Sequence, residues 1–264
     1  MRLKRLAAAV LSMVMLCSAP AYANEADAVA VYQEMEAKSK EMTDINAYYD
    51  FRIDVTDGTS SSGGRLEMNM KANNMTAPEN MKCNMYMRLT MDGTEGAGPS
   101  VITGNIYMLD EMYYIDLLGQ KIKYPMSLAD MMKNVQATMG AMDTSLDYME
   151  NMTLRTEGED RIISYTMNEG AMNDLVQKVL GMTGTPAGQE GMKMTYRDVS
   201  GEYVVNPEGY YTKARTKMAM DMTVGEMRLT MNIDGDVGVA DPGQPVEVPV
   251  PNPEEYELME TASQ

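Results

Sequence analysis

Apolar and polar residues alternate along most of this chain, and the apolar member is usually methionine. Met218-Ala219-Met220-Asp221-Met222 and Met227-Arg228-Leu229-Thr230-Met231 place Met or Leu at the alternate positions. A period of two is that of a β-strand, so one face of each strand is thioether-lined and the other polar or charged. In residues 65–72, Leu66, Met68 and Met70 point one way and Arg65, Glu67, Asn69 and Lys71 the other. In residues 81–91, Met81, Cys83, Met85, Met87, Leu89 and Met91 share a face, opposed by Lys82, Asn84, Arg88, Thr90 and Asp92.

Further strands are expected at 48–55, 102–109, 111–117 and 120–124, with hairpin turns at Asp110-Glu111 and Leu118-Gly119. A hairpin around Gly158 joins 152–157 to 161–167. Met192, Met194 and Tyr196 then share a face. Asn206-Pro207-Glu208-Gly209 fits a type I turn, leading into strands 211–222 and 226–234. Residues 57–64, rich in Gly, Ser and Thr, read as a turn, and the doublet Asp234-Gly235-Asp236 as a solvated turn.

The period changes in three places. Residues 24–42 predict an amphipathic helix with Val29, Tyr32, Met35 and Met42 as its buried stripe, Asn24 as its cap, and Glu25 and Asp27 in its first turn. Residues 127–139 predict a second helix capped by Ser127, and 168–180 a third, ended by Gly181. Residues 183–191 form a Gly/Pro loop, and the Pro-rich tail 241–253, with Val246, Val248 and Val250 alternating, is an edge strand or an extended linker. The predicted fold is α+β: one curved antiparallel sheet with helices covering its concave face. Three modest helices do not fill the concavity of a sheet of about ten strands, which leaves room for an apolar cavity.

Composition adds the compartment. Arg2, Lys4 and Arg5 precede the apolar run Leu6 to Leu16, and Ala21-Tyr22-Ala23 fits the small-x-small cleavage rule. Residues 1–23 are therefore expected to be a signal peptide, 24–240 a single domain and 241–264 an acidic tail. Cys17 follows Leu16, where a lipid-anchoring site needs a small residue, so the protein is expected to be exported and unanchored. The mature chain then carries 19 Lys and Arg against 39 Asp and Glu, a net charge of −20. Such a chain repels nucleic acid and anionic membrane surfaces. No later segment is apolar enough to span a membrane. There is no histidine, which excludes Ser-His-Asp and Cys-His catalysis and His-containing zinc sites. Cys83 is the one cysteine of the mature chain, so it has no intramolecular disulfide partner.

The Met stripes have three readings. They fill a core that has one Phe and no Trp. Alternatively they line a ligand surface, since unbranched polarizable side chains re-pack around varied apolar partners. The candidate lining is then Met68, Met70, Met85, Met87, Leu89, Met194, Met218, Met220, Met222, Met227, Leu229 and Met231. The third reading is a Cu(I) site at Met81, Cys83 and Met85, whose sulfurs suit a soft cation. No phosphate loop or nucleophile motif occurs, the Asp234-Gly235-Asp236 doublet lacks the other positions of a calcium loop, and no cofactor is expected.

The order of parts resembles the LolA/LolB/LppX-like group of bacterial exported proteins, in particular its Met-rich, lipoprotein-like branch. The resemblance rests on the helix after the leader, Asn46-Ala47-Tyr48-Tyr49-Asp50-Phe51, the Met-x-Met strands, the helical middle, Asn206-Pro207-Glu208-Gly209, a final Met-x-Met pair and the Pro-containing tail. It implies an incomplete β-barrel with a helical lid over a hydrophobic cavity, and no catalytic residues. The expected function is a non-enzymatic binder or carrier of hydrophobic ligands, lipid or lipoprotein acyl chains, in the periplasm, cell envelope or medium, with an envelope protein as a possible partner. The alternatives are an envelope interaction module with a filled core and a Cu(I)-binding Met-rich protein.

Overall fold

The computed structural model describes residues 25–93, 98–126, 146–173, 192–224 and 227–259. A helix, α1 (Glu25–Glu41), precedes β1 (Ile45–Thr56), β2 (Ser61–Asn73), β3 (Lys82–Met91), β4 (Ser100–Leu109), β5 (Met112–Leu117) and β6 (Gln120–Pro125). The second half holds β7 (Met149–Glu157), β8 (Asp160–Met167), β9 (Met192–Val205), β10 (Tyr211–Val224), β11 (Met227–Val239) and β12 (Glu257–Leu258). All join one curved, unclosed 12-stranded sheet in the order β12-β6-β5-β4-β3-β2-β1-β11-β10-β9-β8-β7. It consists of two meanders, β1–β6 and β7–β11, zipped together where β1 pairs with β11. Every pairing is antiparallel except β12 on β6.

The expected hairpins form where the sequence places them. Asp110 and Glu111 have φ of 51° and 58°, and Leu118 and Gly119 of 52° and 80°. Two consecutive positive φ values are the type I′ geometry, whose twist matches that of the flanking strands. The Asn206 turn closes through a bond from Gly209 N to Asn206 O at 3.0 Å, and Tyr210 N donates to Asn206 Oδ1 at 2.9 Å.

Several boundaries differ from expectation. The Gly/Ser segment is a turn only as far as Ser60; Ser61–Gly64 pair with Ile53–Thr56, because cross-strand partners outweigh the low strand propensity of Ser and Gly. Asp234-Gly235-Asp236 is not a turn. It lies within β11, paired in turn with Arg52, Phe51 and Asp50 of β1, and Gly235 is required because the Phe51 ring lies where its Cβ would be. The tail is not a strand over 241–253; among its described residues, Glu257 and Leu258 are the ones that pair with the sheet. The buried stripe of α1 is Ala28, Val31, Tyr32 and Met35, while Val29 is half-buried and Met42 lies past the helix end. Of the third expected helix, residues 169–173 are helical, with Ala171 N donating to Asn168 Oδ1 at 2.9 Å as an N-cap. The rest of it, all of 127–139 and the loop 183–191 lie outside the described residues.

Among the described residues the core forms two clusters. At one end of the sheet, α1 packs Ala28, Val31, Tyr32 and Met35 against Met149, Met152, Leu154, Ile163, Tyr165 and Val205. Near the middle, Ile45, Ala47, Ala72, Met81, Cys83 and Val239 form a smaller cluster. Between them the rings of Tyr32, Tyr165 and Tyr211 gather around Tyr203 at centroid distances of 5.8, 5.5 and 6.3 Å. Burial raises the Tyr203 and Tyr165 phenols above their ordinary pKa, so they stay neutral.

Candidate functional site

Strand register turns separate stripes into one surface. Met68 stands opposite Met87, Met70 opposite Met85, and Leu66 opposite Leu89. Met85 continues to Ile106, which meets Ile115, which meets Ile122. On the other side of β2, Met68 pairs with Tyr49 and Met70 with Ala47, which lead to Val237 and Val239. Met231 then opposes Met220, Leu229 opposes Met222, and Ile233 opposes Met218. Directly paired residues share a face. From β6 through β1 and β11 to β10, this face therefore carries no Asp, Glu, Lys or Arg at any paired position.

At β9 the alternation would fail without an extra residue. Asp198, with φ of 54°, sits in a bulge between the pairs Arg197–Ala219 and Ser200–Lys217. The inserted residue switches parity. Tyr196 faces the apolar side before it, and Val199, Gly201, Tyr203 and Val205 after it. The helical turn at 169–173 holds this bulge: Tyr196 N donates to Asn173 Oδ1 at 2.7 Å and Asp198 N to Glu169 Oε1 at 3.1 Å.

The opposite face carries the charge, and several of its residues form cross-strand ion pairs. Arg65 makes a bidentate contact with Asp50 at 2.6 and 2.7 Å, and Arg215 does the same with Asp236 at 3.0 and 3.3 Å. Arg197 grips Asp221, which also accepts from Thr230 Oγ1 at 2.7 Å, and Arg155 meets Glu202 at 2.8 Å. These hydrogen bonds from Arg hold the Asp50, Asp221 and Glu202 carboxyls below their ordinary range. One surface depression on this face, of about 470 Å³, is lined by Arg52, Asp54, Arg65, Glu67, Arg88 and Asp92 among others. The ion pairs Arg52–Asp54, Arg65–Glu67 and Arg88–Glu67 run across this lining.

The candidate lining residues divide by burial. Met220 is buried, whereas Met68, Met70, Met85, Met87, Leu89, Met218, Met222, Leu229 and Met231 are half-buried. The side chains of Met194 and Met227 lie outside the described residues. The three sulfurs considered for copper also part company. Met81 and Cys83 are buried in the central cluster, which Met70, Met75 and Met108 pack against, while Met85 sits further along the half-buried stripe. Burial pushes the Cys83 thiol up to about 11, so the thiolate that a soft metal needs is disfavoured. Among the described residues no cluster of His, Cys, Asp or Glu is arranged to hold a metal. No described helix is long and apolar enough to cross a membrane.

The sequence reading did not find the tail's anchor points. Asp44 accepts from Val246 N at 2.8 Å and from Asn74 N at 3.3 Å, and its carboxyl is held below the ordinary range chiefly by the Val246 bond. A lone Asp before a strand gives no signal of a partner about two hundred residues away. The stacked rings of Tyr165 and Tyr203 were likewise missed, since they meet only through the pairing of strands distant in sequence.

A family model described as "Family of unknown function (DUF6612)" matches residues 27–250. The chain belongs to this family. The DUF6612 match spans α1, β1–β11 and the first part of the tail, so it takes in the whole Met-lined face. No curated protein matches the chain. Among solved structures, LprF from Mycobacterium bovis is 9% identical over 86% of this chain and 97% of its own, with a TM-score of 0.39. A DUF1329 family protein from Desulfovibrio piger is 9% identical over 81% of this chain and 93% of its own, with a TM-score of 0.27. The ywiB protein from Bacillus subtilis is 10% identical over 77% and 98%, with a TM-score of 0.24.

Proposed function

We propose that this DUF6612 protein is an exported, non-enzymatic binder or carrier of hydrophobic ligands, which it holds against the Met-lined face of its sheet. The observation that carries the reading is the uncharged face in continuous register across eight strands, β1–β6, β10 and β11, of a chain with 39 acidic residues. Alternation that only built a core would bury these side chains. Instead most of the described Met residues on it remain half-buried, as a surface awaiting an apolar partner does. Met suits that role because its flexible thioether adapts to ligands of different shape. The driving force is removal of apolar area from water, about 25 cal/mol per Å² before ordering costs.

Export follows in this reading from the basic, apolar and small-residue segments of residues 1–23. The ligand is an acyl chain or a molecule of similar apolar character, and the partner that loads it is an envelope component. Native mass spectrometry of protein purified without detergent is the test. A lipid-sized adduct released on denaturation is the expected result. A copper-sized increment favours the metal reading, and a bare mass that stays bare after incubation with envelope lipid extract refutes the carrier.

A further inference from the structure

The Pro-rich tail lies on the charged side of the sheet, and its contacts are those of a peptide in a binding groove. Register places Tyr107, Tyr114 and Lys123 in one row of that face, continuing through Asn84 and Lys71. The tail enters at Val246, whose N–H donates to Asp44 and whose carbonyl accepts from Asn73 Nδ2 at 3.2 Å. It then runs through Pro249, Pro251 and Pro253, each of which fixes φ and favours an extended, hydrogen-bond-free backbone. Asn252, with φ −80° and ψ 110°, caps the short turn Pro253–Glu255 that presents Tyr256.

Tyr256 is the anchor. Its ring meets that of Tyr114 edge-on at 5.2 Å, the Lys121 ammonium lies 5.6 Å from its centroid, and both Tyr256 and Tyr114 are buried. Around it Lys121 pairs with Glu255 at 2.5 Å and Lys123 donates to the Pro253 carbonyl at 2.6 Å. Only then does the tail add a strand, and it is two residues long, with Met259 N donating to Lys123 O at 2.8 Å. An aromatic anchor, a prearranged Pro-rich backbone and main-chain pairing at a sheet edge are the recurring means of binding extended peptides. None of these contacts requires that groove and tail belong to the same chain. The Lys121–Glu255 ion pair is surface-exposed, and such pairs hold weakly, whereas the Val246 bonds to Asp44 and Asn73 are half-buried.

We propose that this groove is a peptide-binding site for an extended Pro-rich segment with a Glu-Tyr anchor, occupied in cis by the chain's own tail and open to the tail of a second copy. The hinge would be the turn Asp241–Gln244, where Asp241 and Gly243 have φ of 47° and 79°. The site lies on the opposite face from the Met-lined surface and does not depend on it.

Hydrogen exchange on the full chain, followed by titration with a synthetic peptide of residues 244–259, tests the proposal. In the unaltered protein, Val246 and Met259 amides should be protected yet exchange at least tenfold faster than β1–β3. Tyr256→Ala, or Asp44→Ala should the first variant fold poorly, should release the tail and leave β1–β3 unchanged. The released variant should bind the peptide saturably and at least tenfold tighter than the unaltered protein does, and a peptide carrying Ala in place of Tyr256 should not bind. A tail that exchanges in step with the sheet, or a released groove that ignores the peptide, overturns the proposal.

Discussion

Met68 and Met87 stand opposite each other at the centre of the uncharged face, and both are half-buried. Replacing both by Glu puts two like charges in a cross-strand pair, which costs ~0.2–1 kcal/mol, and also gives up the apolar area that the two Met side chains already bury, so binding is read only on variants that fold. Full burial of a Met side chain is worth ~1.5–3 kcal/mol, and a side chain with only a minor part of its surface still exposed gains ~0.5 kcal/mol when a ligand covers it. Losing two such contributions, and adding an unmatched polar group costing at least ~1 kcal/mol to cover, gives ~2 kcal/mol. That is about a thirtyfold rise in Kd. The control is Asn69→Glu with Tyr86→Glu, a pair also directly opposed but on the other face. It changes net charge equally. Titration with an uncharged solvatochromic dye reads affinity, and far-UV circular dichroism reads folding. If both folded double variants bind the dye as the unaltered protein does, or lose it equally, the Met face is not the binding surface.

Three further outcomes follow from the geometry. Ile163, with no exposed surface in the α1-covered core, should cost ~2–5 kcal/mol on replacement by Ala, lowering the melting temperature by ~5–15 °C; a change under two degrees would mean the core is not packed as described. Glu202, Asp50 and Asp44 all have folded pKa values below their ordinary ones, through Arg155, Arg65 and the Val246 amide respectively. Their contribution is complete above the ordinary carboxylate range and disappears as pH falls through it to the lowered values, so melting temperature should drop between about pH 5 and pH 3, and a flat profile would contradict the pairings. Cys83, buried and with its thiol raised to about 11, should resist a disulfide reagent in the folded protein and react promptly in denaturant.

The strands were legible because alternation is a local property and nearly every strand here has one apolar and one polar face. The hairpins at Asp110-Glu111 and Leu118-Gly119 were legible for the same reason: their spacing between strands left room for only two residues. The zipping of β1 to β11 was not, since nothing in Ile45–Thr56 distinguishes Met227–Val239 from any other Met-bearing strand as its neighbour. Asp234-Gly235-Asp236 misled because Gly and Asp favour turns in isolation, whereas here Gly235 makes space for the Phe51 ring and Asp236 has Arg215 beside it. The candidate lining could be read as a face but not as a surface. Whether a stripe is covered depends on elements far away in sequence, and the pattern of β3 looks the same where Cys83 is buried and where Met87 is only half-buried.

Met87-Arg88-Leu89-Thr90-Met91 and Met227-Arg228-Leu229-Thr230-Met231 are the same five residues. One sits between β2 and β4, the other between β1 and β10. A strand of Met-x-Met-x-Met can slide by two residues against its neighbour and present almost the same oily face. The Met side of the sheet is therefore nearly blind to register, and alignment must be read from the other side. There Arg65 finds Asp50, Arg215 finds Asp236, and the ring of Tyr48 covers Gly238. The charged pairs, each of small worth as surface ion pairs, act together as the teeth of a key. A chain stripped of them should still collapse and still show strand content, but as a mixture of offset sheets instead of one.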